Sequence, residues 1–133
     1  RKDAADREAI VRALTKQLKK GPKSLVGNKG FRKFLKTDND FHATILSMSS
    51  NNRLPRLYSY LQNLIQVLSV QAIKEEGRIS QANNEHLEIL DAIKSADLDL
   101  TLSLLRNHFT QMSNARQHNC EKQANTLLQD STL

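Results

Sequence analysis

The apolar residues of this chain recur at helical spacing in one segment after another, and that periodicity points to a helical fold. The clearest example is residues 53–74, where five leucines follow one another at intervals of three and four: Leu54, Leu57, Leu61, Leu64 and Leu68. Such a stripe is typical of an amphipathic helix with 3.6 residues per turn. Because the stripe is long and regular, we predict that this helix is the most buried one. No segment shows the alternation typical of a β-strand.

Four more helices are predicted from the same periodicity and from residues that favour helix ends. The first begins after Asp3, a favoured N-cap, and the second spans about residues 30–49. Ser80, or the asparagines at 83 and 84, are predicted to cap a fourth helix, and Asp97 the last long one. Short connections would pack these helices side by side, so the predicted fold class is an all-α, antiparallel helical bundle.

The length and composition suit one domain. A chain of 133 residues with 38% hydrophobic residues can bury its own core. We assign the domain to residues 1–116 and treat 117–133 as a polar C-terminal tail or a short terminal helix. No apolar stretch approaches the roughly 20 residues of a membrane span. The single cysteine, Cys120, cannot form an internal disulfide, and the default expectation is a cytoplasmic location.

The formal net charge of +6 is unevenly distributed, because a basic segment at residues 16–36 contains no acidic side chain. Such a segment could contact nucleic acid through its phosphates, and salt-sensitive DNA binding would support that interpretation. The alternative is a solvated surface, which the lack of an accompanying Gly-rich or Arg-rich motif favours.

Asp38 and His42 lie four residues apart beside an apolar stripe, so both side chains face one side of a helix. A carboxylate in an apolar face is costly unless something compensates its charge. His86 and His108 border apolar stripes on two other predicted helices, whereas His118 lies in the polar tail. Singly, each of these histidines is typical of a core residue. Together, one carboxylate and three imidazoles suit a divalent first-row metal ion.

The order and spacing of these residues resemble those of the FCD domain, the effector-binding domain of GntR-type transcriptional regulators of the FadR subfamily. The similarity covers about residues 6–112, and His108 follows His86 by 22 residues, in the family's order. Four short motifs carry the resemblance. The first is Asp38-x3-His42, in which Phe41 precedes the histidine, and the second is the pair Ser49 and Asn51 that follows it. The third is Arg78 followed by Glu85-His86, and the fourth is the run HLEILDAIKSAD.

The resemblance implies that Asp38, His42, His86 and His108 hold one divalent metal ion of the zinc, nickel or manganese class. It also implies coordination positions left open for a small organic acid, because a sensor must receive its effector. Asn51 and Arg78 are predicted to line that effector site; the alternative for Arg78 is an exposed salt bridge. The implied function is effector sensing by a homodimer, in which the acid modulates operator binding.

The chain also departs from the family. Members usually carry an N-terminal winged helix-turn-helix that binds DNA, followed by a long first helix of the effector domain, and neither is expected here. The serine that often stands four residues before the second histidine is Ala82. That replacement puts the effector's hydrogen-bond partners in doubt.

A metal-dependent hydrolase or lyase is the competing interpretation, in which the metal ion activates water and a carboxylate acts as base. Against it, Glu85 is next to His86 in sequence, and neighbours on a helix point about 100 degrees apart. We therefore assign no catalytic residue and do not predict an enzyme.

Overall fold

The computed structural model describes residues 4–19, 27–47, 52–75 and 77–131, and these residues form five α-helices without a strand. The helices are α1 (Ala4–Lys19), α2 (Gly27–Leu46), α3 (Arg53–Ile73), α4 (Arg78–Lys94) and α5 (Leu98–Asp130). The predicted all-α helical bundle is therefore confirmed. Helices α4 and α5 run antiparallel, since Arg78 contacts Met112 while His86 contacts His108. None of the described helices is long and apolar enough to cross a membrane.

The core consists of two clusters that meet along α2 and α4. One cluster contains Leu14, Phe41, Ile89, Leu90 and Ile93, and the other contains Phe34, Ile73, Ile79 and Ala82. On α2, Asp38 lies one turn after Phe34 and one turn before Phe41; on α4, His86 lies in the same way between Ala82 and Ile89. The two polar residues are therefore buried at the junction of the clusters.

The observed helix ends match the predicted ones in part. The side chain of Asp97 caps α5, as predicted, by accepting a hydrogen bond of 3.0 Å from the backbone N–H of Leu100. The predicted caps of α4 are wrong, because this helix begins at Arg78 and includes Ser80 and both asparagines. Gly77 has a φ of 77°, a left-handed conformation that glycine adopts without a steric penalty, so the chain reverses there and α4 starts at once.

The prediction that α3 is the most buried helix is wrong. The side chains of its leucine stripe are between 40 and 57% exposed, and its buried residues, Ala72 and Ile73, lie at its C-terminal end. Periodicity reports that a helix has an apolar face, but it does not report which element covers that face. Here the described helices bury only the C-terminal end of α3.

Helix α5 has no break at residue 116, where the domain was predicted to end. It continues as one helix of 33 residues, about 50 Å long, through the predicted tail. Its second half is attached to the end of α3: the Asn119 amide donates to Gln71 Oε1 at 2.9 Å, and His118 Nδ1 lies 2.8 Å from Glu75 Oε2. The side chain of His118 is otherwise exposed, as predicted.

Candidate metal centre and the adjoining cavity

Three helices bring Asp38, His42, His86 and His108 to one point. The Oδ1 atom of Asp38 lies 3.2 Å from Nε2 of His42 and 3.1 Å from Nε2 of His86. Nε2 of His108 lies 3.3 Å from Nε2 of His86 and 3.4 Å from Nε2 of His42. The four atoms all lie within 4.8 Å of one another, and three of the residues are buried while His42 is partly exposed.

This group has the composition and spacing to hold a divalent metal ion. Bonds of about 2.0–2.2 Å from a central ion place neighbouring donor atoms about 2.9–3.4 Å apart, which matches the four measured distances. In addition, Oδ1 of Asp38 is buried and receives no hydrogen bond from a described residue, although two imidazole nitrogens lie near it. A buried, ionised oxygen of this kind is costly without a cation.

The protonation states favour metal binding at neutral pH. Burial, together with charge on the neighbouring rings of His86 and His42, lowers the pKa of His108 to about 4. The pKa of His86 is also lowered, chiefly by burial. Burial alone would raise the pKa of Asp38, but His42 and His86 hold it well below its usual range. A neutral imidazole and an ionised carboxylate are the forms that coordinate metal ions.

We expect the metal-free protein to lose stability as the pH falls from about 6.5 to about 4. An unfolded histidine takes up a proton near pH 6.5, whereas His108 in the folded state does so only near pH 4. Between these values the unfolded chain binds more protons, so acid favours unfolding. Urea denaturation with chelator at several pH values measures this loss. His108→Gln should show a smaller loss over the same range, and an unchanged loss would contradict this assignment.

Glu85 fixes the orientation of His108, a role that the sequence did not reveal. Its Oε1 atom lies 2.7 Å from Nδ1 of His108. Burial would raise the pKa of Glu85, but hydrogen bonds from Arg78 and His108 hold it below the usual value, so the carboxylate is ionised. It therefore accepts the proton on Nδ1, which leaves the Nε2 lone pair of His108 facing the other three donors.

Arg78 is buried and is committed to Glu85. Its guanidinium donates to both oxygens of this carboxylate, with a distance of 2.9 Å from Nη1 to Oε2, and Nε lies 3.1 Å from the sulfur of Met112. The alternative of an exposed salt bridge is wrong, because the pair is internal. Arg78 is not among the residues that line the cavity described next, and Asn51 lies outside the described residues. The available sequence signal was the spacing of seven between Arg78 and Glu85, which places both on one helix face.

His86 is oriented by packing. Its ring stacks on Phe41 with centroids 4.3 Å apart and an interplanar angle of 24°, whereas its Nδ1 atom has no hydrogen-bond partner among the described residues. Phe41 therefore holds the His86 ring with its Nε2 atom towards Asp38.

A cavity of about 550 Å³ opens beside the four residues, and Asp38, His42 and His108 line part of it. Its walls are largely apolar side chains of α2, α3 and α5: Ile45, Leu46, Ile65, Leu68, Ala72, Leu105, Phe109 and Met112. Tyr58, Ser69, Ser113 and Arg116 add polar groups. The Tyr58 hydroxyl donates to Asn39 Oδ1 at 2.8 Å, and burial with the nearby carboxylates of Asp38 and Asp40 raises its pKa to about 12.

The basic segment forms an exposed surface where it is described. Lys16, Lys19, Arg32 and Lys33 are exposed on α1 and α2, and Lys36 pairs with Asp40 at 2.9 Å. None of these residues lines the cavity.

Residues 1–111 match the family model of the FCD domain, the C-terminal domain of FadR in the GntR family. The match covers most of the chain and includes all four residues of the candidate metal centre. The chain therefore belongs to the FCD family, the effector-binding domain of GntR-type transcriptional regulators. No curated protein matches the chain.

Proposed function

We propose that this chain is a metal-dependent sensor of a small organic acid. Asp38, His42, His86 and His108 would bind one divalent ion of the zinc, nickel or manganese class. The main support is Oδ1 of Asp38, a buried oxygen that receives no hydrogen bond from the described residues and lies within 4.8 Å of the three imidazole nitrogens. A cation at this point satisfies the carboxylate, and the neutral imidazoles complete its ligand set.

The effector site is the cavity beside this centre. When bound, the metal ion supplies a positive charge and open coordination positions for a carboxylate. The chain's own residues do the rest: Glu85 keeps Nε2 of His108 facing the centre, and the apolar walls exclude water around the ligand. Arg78, predicted from the sequence to contact the effector, would act on it indirectly by holding Glu85.

Effector binding would act on the arrangement of the helices. The cavity lies between α2, α3 and α5, so a ligand that fills it contacts all three and favours the arrangement in which they fit it best. In the full regulator this preference would be coupled to operator binding by a winged helix-turn-helix, with a coupling of about 1–3 kcal/mol. Glu85 is paired with Arg78 and does not line the cavity, which argues against its use as a general base in an enzyme.

Thermal-shift screening tests the proposed effector class. Metal-loaded protein should be stabilised by at least one small organic acid, because its carboxylate occupies the open positions on the ion. The shift should disappear when the same protein is treated with chelator. An acid that stabilises loaded and chelated protein equally would contradict binding at the metal ion, and so would purified protein that takes up no divalent metal.

We propose further that two copies pair through α3. Its leucine stripe has the alternating three- and four-residue spacing of a coiled-coil seam, and it is exposed. No charged residue occurs from Leu57 to Ile73, so a second copy of the helix meets no like charge there.

Replacing Leu57 and Leu64 together by glutamate should make the protein monomeric, because the charges would repel each other across the α3 pair. Light scattering after size-exclusion chromatography measures the mass. The matched control carries glutamate at Leu127 and Leu128, which are exposed leucines on α5, and should remain a dimer. A monomeric unmodified protein, or dissociation of both variants alike, would contradict pairing through α3.

A further inference from the structure

The cavity is also lined by a charged residue about two turns along α5 from His108. This residue is Arg116, and it is the only lysine or arginine among the described residues that line the cavity. Its side chain is partly buried, and no hydrogen bond or ion pair joins it to another residue of the described chain. By contrast, Arg78 is paired with Glu85. Arg116 is thus the cation that the cavity offers to a ligand.

The position of Arg116 limits the length of a ligand that reaches both this residue and the metal centre. It follows His108 by eight residues on the same helix, which is about 12 Å along the axis. Because helical side chains lean towards the N-terminus, that of Arg116 leans back in the direction of His108 and shortens the gap. The ligand must therefore be shorter than about 12 Å, and chains of about five to seven carbons meet that limit.

The wall between His108 and Arg116 determines what the middle of the ligand can be. Leu68 and Ala72 from α3 and Phe109 and Met112 from α5 line this stretch. Methylene groups gain from burial against this wall, whereas the hydroxyl groups of a sugar acid would find partners among the described residues of this stretch only at Ser69 and Ser113.

We propose that the effector is an aliphatic dicarboxylate. This inference rests on the proposed function: one carboxylate binds the metal ion, and the other accepts two parallel hydrogen bonds from the guanidinium of Arg116. Arg116 thereby selects diacids over monoacids, since a monoacid of the same length presents a methyl group to the cation.

Isothermal titration calorimetry of the zinc-loaded protein tests this selection. The ligands are glutarate, adipate and pimelate, each compared with the monoacid of equal length: pentanoate, hexanoate and heptanoate. The best diacid should bind at least about tenfold more tightly than its matched monoacid, as expected for hydrogen bonds between charged groups. Equal affinity within each pair would overturn the inference.

Arg116→Gln should lower the affinity for that diacid about 10- to 100-fold and leave the affinity for the monoacid unchanged. The matched control is Arg106→Gln, an equal charge change at an exposed position of the same helix that does not line the cavity. It should preserve the diacid preference. A preference that survives Arg116→Gln, or that Arg106→Gln removes equally, would also overturn the inference.

These outcomes distinguish a failure of the role of Arg116 from a failure of the proposed effector class. If monoacids and diacids bind the zinc-loaded protein equally, the organic-acid sensor stands and only the role of Arg116 fails. If zinc binds and no acid of either kind does, the proposed effector class fails together with the inference.

Discussion

His86→Ala is expected to abolish the rise in melting temperature that zinc, nickel or manganese produces in the unmodified protein. A metal ion at 100 times its dissociation constant stabilises the folded state by about 2.7 kcal/mol, or roughly 10 °C for a chain of this size. The Nε2 atom of His86 lies within 3.3 Å of donor atoms on both Asp38 and His108, so its removal opens the ligand set on its most buried side. Thermal melts with and without metal, together with metal analysis, measure the effect.

The control for this experiment is His118→Ala. His118 lies outside the cluster and pairs with Glu75 at the surface, so this variant should keep one ion per chain and the full shift. Because alanine also removes the ring that stacks on Phe41, His86→Gln should be measured in parallel to preserve more of the packing. An unshifted metal response in both His86 variants would remove this residue from the ligand set.

Arg78→Ala is expected to destabilise the protein by about 3–5 kcal/mol, because it leaves Glu85 inside the protein without its cation. That loss is a large part of the total stability of a typical domain, about 5–15 kcal/mol. Urea denaturation in the presence of chelator measures it without interference from metal binding. Replacing both partners, by Arg78→Met with Glu85→Gln, should recover much of the loss, since no unpaired charge then remains.

Arg12→Ala provides the matched comparison. Arg12 also pairs with a glutamate on its own helix, Glu8, but at 3.9 Å and with both side chains about three-quarters exposed, 74% and 76%. Removing an exposed pair of this kind costs less than about 1 kcal/mol. If Arg78→Ala lowered the free energy of unfolding no more than Arg12→Ala does, the buried Arg78–Glu85 pair would not stabilise the centre as its geometry indicates.

The position of Asp38 and the three histidines beside apolar stripes could be read from local spacing, which favours an inward orientation of the four side chains. Their convergence at one point was implied by the resemblance to the FCD family, because spacing within a helix does not report how three helices pack. The N-cap at Asp97 is equally local, since it depends on one side chain and the backbone three residues later.

The features that the sequence did not reveal depend on contacts between helices. Glu85 and His86 are neighbours on α4, so their side chains point in different directions. Glu85 nevertheless reaches the centre through His108 of α5, because its carboxylate contacts the Nδ1 atom of that ring. Arg116 carries no pattern at all, and only the packing of α3 against α5 makes it part of a cavity. The leucines of α3 have the regular spacing of a core stripe, and the described chain leaves them uncovered.

The position of Tyr58 gives the protein a built-in optical reporter. The chain has no tryptophan and two tyrosines, so its ultraviolet emission comes from tyrosine alone. Tyr58 lies in the cavity wall with its hydroxyl bonded to Asn39, whereas Tyr60 is 85% exposed. Iodide quenches exposed fluorophores, so it suppresses the Tyr60 signal and leaves that of Tyr58. Cavity occupancy can then be followed by fluorescence without any label.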